Sequence, residues 1–228
     1  MKRSVFLILF FLKLIVGNAQ DAQALVERVK VKLNTVHDYQ ASGLLKTGVS
    51  FMKIPDSKVT IYYKNPDKFK VAKPEGISVV PKGGISINFN ALLSGNNYTA
   101  VTAGKAVYLG KPVSVIKLIP LNEGSDVMIS TLYIDEKELL IRRASTTTKD
   151  NGTYEMEMIY GKYARWGLPD KVLFSFNTKD YKLPKGVTFE YDPGTKPDEK
   201  KVKNQKGTLE ITYTNYSINK GLSDTLFK

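Results

Sequence analysis

The side chains able to do acid–base or nucleophilic chemistry are few in this chain. His37 is the only histidine, and there is no cysteine. A Ser-His-Asp system would have to run through His37, and no Gly-x-Ser-x-Gly elbow supplies its serine. Metal sites built on histidine and cysteine are excluded by count. A calcium loop of the form Asp-x-Asp-x-Asp-Gly is absent from the sequence. Lys82-Gly83-Gly84 lacks the spacing and the following helix of a phosphate-binding loop. Glu155 and Glu157 are paired carboxylates, the residue type that glycoside hydrolysis uses. They stand at i and i+2 of an expected strand, where alternation puts both on the wet face. The sequence therefore predicts no catalytic residue, no metal and no cofactor. A hydrolase or carbohydrate-active protein is the rival that two converging carboxylates would support.

What the sequence has in quantity is apolar strand surface. Tyr154, Met156, Met158 and Tyr160 alternate with Glu155 and Glu157. Val172, Phe174 and Phe176 form a second stripe. Val187, Phe189 and Tyr191 form a third, and Leu209, Ile211 and Tyr213 a fourth. Ile61 and Tyr63 precede the turn Asn65-Pro66-Asp67, and Phe69 and Val71 follow it, alternating with Lys68 and Lys70. Proline fixes φ there, and Asn and Asp side chains bond their own backbone. Leu132 and Ile134 add a further inward pair. Such faces must point somewhere dry. Either they form an ordinary core, as in a purely structural β-protein, or the surplus lines a cavity for an apolar ligand.

The elements that position these stripes are one helix and many strands. Ala24, Leu25, Val29, Leu33 and Val36 recur at three- and four-residue spacing, which predicts a helix over Asp21 to Asp38. Strands are expected at Tyr39–Leu45, Val49–Met52, Val59–Tyr63, Lys68–Ala72, Ile77–Val80 and Ile85–Phe89. A helical turn follows over Asn90–Leu93. Further strands are expected at Tyr98–Thr102, Ala106–Leu109, Val113–Ile119, Val127–Ile134, Leu139–Thr147, Tyr154–Tyr163, Lys171–Phe176, Val187–Tyr191 and Thr208–Ile218. Asp192 to Gly207 is a charged loop. Most joins are short turns, so the sheet is antiparallel, and a sheet this wide must curl. The expected class is mainly β (α+β), a strongly curved antiparallel half-barrel of about ten or eleven strands. The N-terminal helix and short lid helices lie on its concave side.

Residues 1–19 have the pattern of a secretory signal peptide. Lys2-Arg3 precede the apolar run Val5 to Leu12, and Gly17 and Ala19 fit a small-x-small cut after Ala19. The exported domain would be residues 20–228, long enough to bury a core without disulfides. Without a cysteine it is not itself a lipoprotein. Leaving out Lys2, Arg3 and Lys13, 31 basic residues face 22 acidic ones, a net charge of +9. Export argues against nucleic acid as the partner of this basic surface. Lys64, Lys68 and Lys70 are the expected contacts for an acidic partner or anionic lipid heads.

The corner Asn65-Pro66-Asp67-Lys68-Phe69 resembles the outer-membrane lipoprotein carriers of the LolA/LolB-like superfamily. Val115-Ile116-Lys117-Leu118-Ile119-Pro120 resembles a strand end of that family. Leu132-Tyr133-Ile134-Asp135 with Leu139-Leu140-Ile141-Arg142 resembles its hairpin. Gly104 to Arg143 also resembles the RseB/MucB type of envelope-stress regulator. The resemblance implies a periplasmic, monomeric, non-enzymatic carrier or chaperone of acylated lipoproteins or lipids, served by an inner-membrane release complex and an outer-membrane acceptor. The alternative it implies is a regulator that senses lipids or lipoproteins and binds a membrane partner. The cavity residues expected are Ile61, Tyr63, Phe69, Val71, Leu132, Ile134, Met156, Met158, Tyr160, Phe174 and Phe176.

Overall fold

A computed structural model describes residues 21–49, 52–53, 55–66, 68–72, 93, 97–149, 152–177 and 206–227. A helix, α1, covers residues 21–34. Eleven strands follow: β1 (Asp38–Val49), β2 (Met52–Lys53), β3 (Ser57–Lys64), β4 (Lys68–Ala72), β5 (Tyr98–Tyr108), β6 (Lys111–Pro120), β7 (Val127–Asp135), β8 (Leu140–Thr148), β9 (Thr153–Ile159), β10 (Lys171–Asn177) and β11 (Lys206–Ile218). They form one antiparallel sheet in the order β4-β3-β1-β11-β10-β9-β8-β7-β6-β5, with the short β2 beside β1. From β5 to β11 the sheet is a plain meander. The first strand returns to pair with the last, Tyr39 opposite Ile218 and Gly48 opposite Thr208.

The sheet is open, and α1 shows how far it curls. The Gln23 side chain accepts a hydrogen bond from the Ala100 amide on edge strand β5 (3.3 Å). Asn34, eleven residues on, bonds Asn65 in the turn between β3 and β4 at the other edge (3.5 Å). Eleven helical residues span about 17 Å. Laid flat, ten strands would put β4 and β5 about 43 Å apart. One short helix reaches both edges only because the sheet is rolled around it.

α1 buries Ala22, Leu25, Val26 and Val29, with Leu33 half-buried. These positions fall along one stripe. Ala24 is exposed, contrary to the sequence expectation, because it lies about 100° around the helix from Leu25. The helix also stops at residue 34 and does not run to Asp38. Thr35 and Val36 close its last turn with bonds to the Lys32 and Leu33 carbonyls, and Asp38 opens β1.

Four further expectations are corrected. The join between the expected strands Tyr39–Leu45 and Val49–Met52, read as a hairpin turn around Thr47-Gly48, is not a turn: β1 runs through it to Val49. Gly48 meets a close approach instead, since a Cβ there would fall on Thr208 Oγ1. Tyr98–Thr102 and Ala106–Leu109 are one strand, β5, interrupted by a bulge at Thr102/Gly104. Its turn is Leu109-Gly110, both at positive φ, as a two-residue hairpin turn requires. The expected strand Tyr154–Tyr163 ends at Ile159, where a short 3-10 turn, Ala164–Trp166, takes over. The charged loop was expected to reach Gly207, but β11 begins at Lys206. The expected signal peptide, the strands Ile77–Val80, Ile85–Phe89 and Val187–Tyr191, and the loop from Asp192 to residue 205 lie outside the described residues. Of the turn Asn90–Leu93 only Leu93 is described; it is helical and buried in the core. No helix among the described residues is long and apolar enough to cross a membrane.

The β1–β11 ladder is locked at one end by Asp38 and Asn219. The buried Asp38 carboxylate accepts from the amides of Lys220 (2.9 Å) and Gly221 (3.0 Å). Asn219, at φ 56°, takes the His37 amide (2.7 Å) and gives its own side-chain amide to the Thr35 carbonyl (2.8 Å). Replacing Asp38 with Ala leaves two turn amides without their acceptor. We expect a loss of about 3 kcal/mol of stability, read as a lowered urea midpoint with an unchanged m-value.

Candidate functional site: the apolar concave face

Register aligns the inward side chains into rows across the sheet. One row runs Leu209, Phe174, Met156, Ala144, Leu132, Ile116 over six adjacent strands. All six are buried, and Met156 and Leu132 have no exposed surface. The neighbouring row is Phe176, Tyr154, Thr146, Ser130, Leu118, Ala100. Its two polar members satisfy each other: the Thr146 and Ser130 hydroxyls are 2.9 Å apart. Towards the other end of the sheet lie Tyr39, Tyr63, Tyr213 and Tyr216, with Tyr163 from the β9–β10 connection. A bulge in the β1–β11 ladder lets Tyr213 and Tyr216 face inward together. The Tyr216 hydroxyl donates to the Pro169 carbonyl (2.8 Å).

The eleven expected cavity residues all join this one apolar cluster, in two zones. Ile61, Tyr63, Leu132, Ile134, Met156, Met158 and Phe174 are buried at its centre. Phe69, Val71, Tyr160 and Phe176 are half-buried at its margin. Tyr154 and Trp166 belong to the same margin, and the sequence reading did not single out Trp166 as part of the face. Tyr154, Phe174 and Phe176 form a ring cluster, with centroids 5.3 and 5.7 Å apart. A helix face seats here as well: a Cβ on Gly167 would stand 2.9 Å from Leu33 Cδ2. With φ at 69°, that position needs glycine for its backbone and for the close approach of α1.

A charged cluster forms at the β7–β8 turn, with Asp135 and Arg142 themselves buried. Arg142 is the extra residue of a bulge between β7 and β8, where Tyr133 faces Arg143 and Ile134 faces Ile141. The bulge directs its guanidinium to Asp135 (2.8 Å) and Glu138 (2.6 Å), and over the Tyr160 ring (5.4 Å). Lys111 binds the other Glu138 oxygen (2.9 Å), and Lys32 of α1 donates to the Glu138 carbonyl (2.6 Å). Burial disfavours the Asp135 carboxylate, but the Arg142 bond and the Glu138 amide outweigh it and hold its pKa below the usual range. The Lys111 bond does the same for Glu138.

The candidate catalytic groups are elsewhere, and the two carboxylates are engaged. Glu155 binds Arg143 (2.6 Å), and Glu157 accepts from the Tyr108 hydroxyl (2.6 Å), so the two carboxylates serve separate partners. His37 is exposed in the link between α1 and β1. Among the described residues no three His, Asp or Glu side chains converge as a metal site. Lys64, Lys68 and Lys70 stand together on the β3–β4 hairpin, in contact with the chain's own C-terminal segment.

An open, curled antiparallel sheet with an apolar concave face wrapped on an N-terminal helix defines a LolA-like fold. No protein-family profile matches the chain, and no curated protein matches it. Solved structures do. A DUF1329 family protein from Desulfovibrio piger superposes with a TM-score of 0.55 at 12% identity, covering 92% of this chain and 97% of that one. A domain assigned to outer membrane lipoprotein sorting, from Vibrio parahaemolyticus, gives 0.53 at 12% identity with the same coverage, 92% and 97%. A LolA superfamily protein from Nitrosomonas europaea gives 0.51 at 9% identity, covering 91% and 97%.

The Asp135–Arg142 pair sets an acid limb. A carboxylate with a depressed folded pKa contributes stability that is fully present above its unfolded value, about 3.9, and is lost as pH falls through the lower folded one. Changing Asp135 to Asn should lower the urea midpoint at pH 7. At pH 3 the gap between variant and parent should shrink. Equal gaps at the two pH values would count against this assignment.

Proposed function

We propose that this protein is an exported, non-enzymatic carrier or chaperone that takes acyl chains, most simply those of lipoproteins, against its concave face. The observation that carries the reading is the unbroken inward row from Leu209 to Ile116, with half-buried Tyr154 and Phe176 in the row beside it and half-buried Phe69 and Val71 on β4 packed against the same cluster. Apolar side chains at a margin are where a flexible hydrocarbon can be admitted without a polar cost. Ten buried methylenes give about 8 kcal/mol, the equivalent of a micromolar dissociation constant before ordering costs are subtracted. No directed polar chemistry is needed. The likeness to a domain assigned to lipoprotein sorting supports the same reading. The sequence pattern of residues 1–19 supports export to the periplasm, and in this proposal an acceptor at the outer membrane receives the cargo.

The test is native mass spectrometry of the chain expressed with residues 1–228 and recovered from a bacterial periplasm without detergent. The expected product begins at Gln20 and carries a lipid or acylated peptide. Substitution belongs at the margin, because a charge in place of a buried residue such as Met158 would unfold the core. Changing Phe176 to Ser and Phe69 to Ser together should weaken binding of a fluorescent fatty-acyl probe at least tenfold while the thermal melt stays cooperative. A parent chain that arrives empty and ignores the probe would leave the concave face as ordinary core.

A further inference from the structure

The lysines on the β3–β4 hairpin hold a segment of the chain itself. Lys64 and Lys68 are directly opposite each other in the ladder at the sheet's edge. Like charges in that position repel unless an anion sits between them. Asp224 is that anion: Oδ1 is 2.7 Å from Lys64 Nζ, and Oδ2 is 3.0 Å from Lys68 Nζ. Lys64 also donates to the Leu222 carbonyl (2.9 Å), and Lys70 donates to the Leu226 carbonyl (2.7 Å). The bound segment is a compact turn. The Ser223 hydroxyl accepts from the Thr225 amide (3.3 Å), and the Leu226 amide bonds the Ser223 carbonyl (3.2 Å). Three lysines thus read one carboxylate and the carbonyls on either side of it, which is a peptide-recognition geometry.

The hold is shallow. Asp224 is solvent-exposed and its lysine partners are half-exposed, so the ion pairs are weakened by solvent screening. The turn stays in place because it is tethered. Asp38 fixes Lys220 and Gly221 immediately before it, so a weak contact is made at a high effective concentration.

We propose that this basic lip is a docking site for a carboxylate-bearing turn of a partner protein, and that residues 222–227 are its built-in competitor. The site lies on the sheet edge and works independently of what the concave face binds. A partner presenting an acidic turn of this shape displaces the tethered segment and takes over its lysine contacts along β4. Specificity comes from the spacing of one carboxylate between two carbonyls, and the encounter is accelerated by the basic surface.

The probe is a fluorescent peptide of residues 220–228, read by anisotropy. A chain ending at Gly221 keeps the Asp38 contacts and should bind it at least tenfold more tightly than the full chain. Full-length Asp224→Lys, which loosens the tethered turn without shortening the chain, should show the same gain. Peptide carrying Asp224→Asn should lose most of its affinity. Lys64→Glu with Lys68→Glu in the shortened chain should abolish binding, and affinity should fall steeply between 50 and 300 mM salt, roughly as expected for exposed charge pairs. The proposal is overturned if neither the shortened chain nor Asp224→Lys binds better than the parent, or if the neutral peptide binds as well as the acidic one. The acyl-probe affinity, measured in parallel, is expected to be unchanged in every variant.

Discussion

The pairing of β1 with β11 is the constraint on which the rest of the molecule depends. Every other ladder joins strands that are neighbours in sequence or, for β3 with β1, separated only by the short β2. The β1–β11 ladder alone brings residues some 170 positions apart into register. Without it, the β4-β3-β1 unit and the β5–β11 meander are separate sheets with two additional open edges. Closing so long a loop costs entropy before any contact repays it. The clamp at the end of the ladder, Asp38 with the 219–221 turn, is therefore well placed. It fixes the register at the point where a one-residue slip would turn every apolar side chain of β1 outward.

Once the sheet is continuous, its curl and its apolar face follow together. Twist accumulates over ten strands, and α1 gives the concave side something to close on. Its Gln23 and Asn34 contacts reach strand edges that a flat sheet would hold far apart. Among the described residues the inward rows run almost unbroken from β3 to β5, and the buried polar pair Ser130 with Thr146 is self-satisfied. A face made this way offers area without chemistry. That suits a ligand recognised by its hydrocarbon and agrees with how the potential catalytic groups are used. Glu155 and Glu157 each stabilise an outward strand contact, and His37 lends its backbone to a turn.

The sequence made the inward stripes legible because strand alternation has a period of two, and burial enforces it on every strand with one wet face. That is why Met156, Met158 and Phe174 were found from spacing alone, and why all eleven stripe residues gather in one cluster. The errors fall where glycine or a bulge changes the local rule. Gly48 reads as a turn in sequence, yet it marks a close approach to Thr208. Gly104 reads as a break between two strands, yet it is a bulge within one. Arg142 looks like another position in an alternating strand, and only the bulge with Tyr133 and Ile134 turns it onto Asp135 and Glu138. The division into a buried centre and a half-buried margin was not legible, because alternation fixes a side chain's face and says nothing of its distance from the edge. The intramolecular partner of Lys64 and Lys68 was hidden for a related reason: no local pattern links a hairpin to a segment about 160 residues away.

Among the described residues the open sheet ends at two edge strands, β4 and β5, and the two edges are managed by different means. At β5 the edge is interrupted by the bulge at Gly104 and carries Lys105, which together spoil a flat template for a second chain. At β4 the strand is only five residues long and alternates lysine with apolar residues, so its exposed side is charged. Charge alone leaves Lys64 and Lys68 facing each other, an unfavourable pair that needs an anion. The chain supplies one from its own end, anchored beside the same ladder that joins its first and last strands. Edge protection, register and the return of the chain end to β4 are therefore one arrangement, in which Asp38 holds the root of the segment and the hairpin lysines hold its tip.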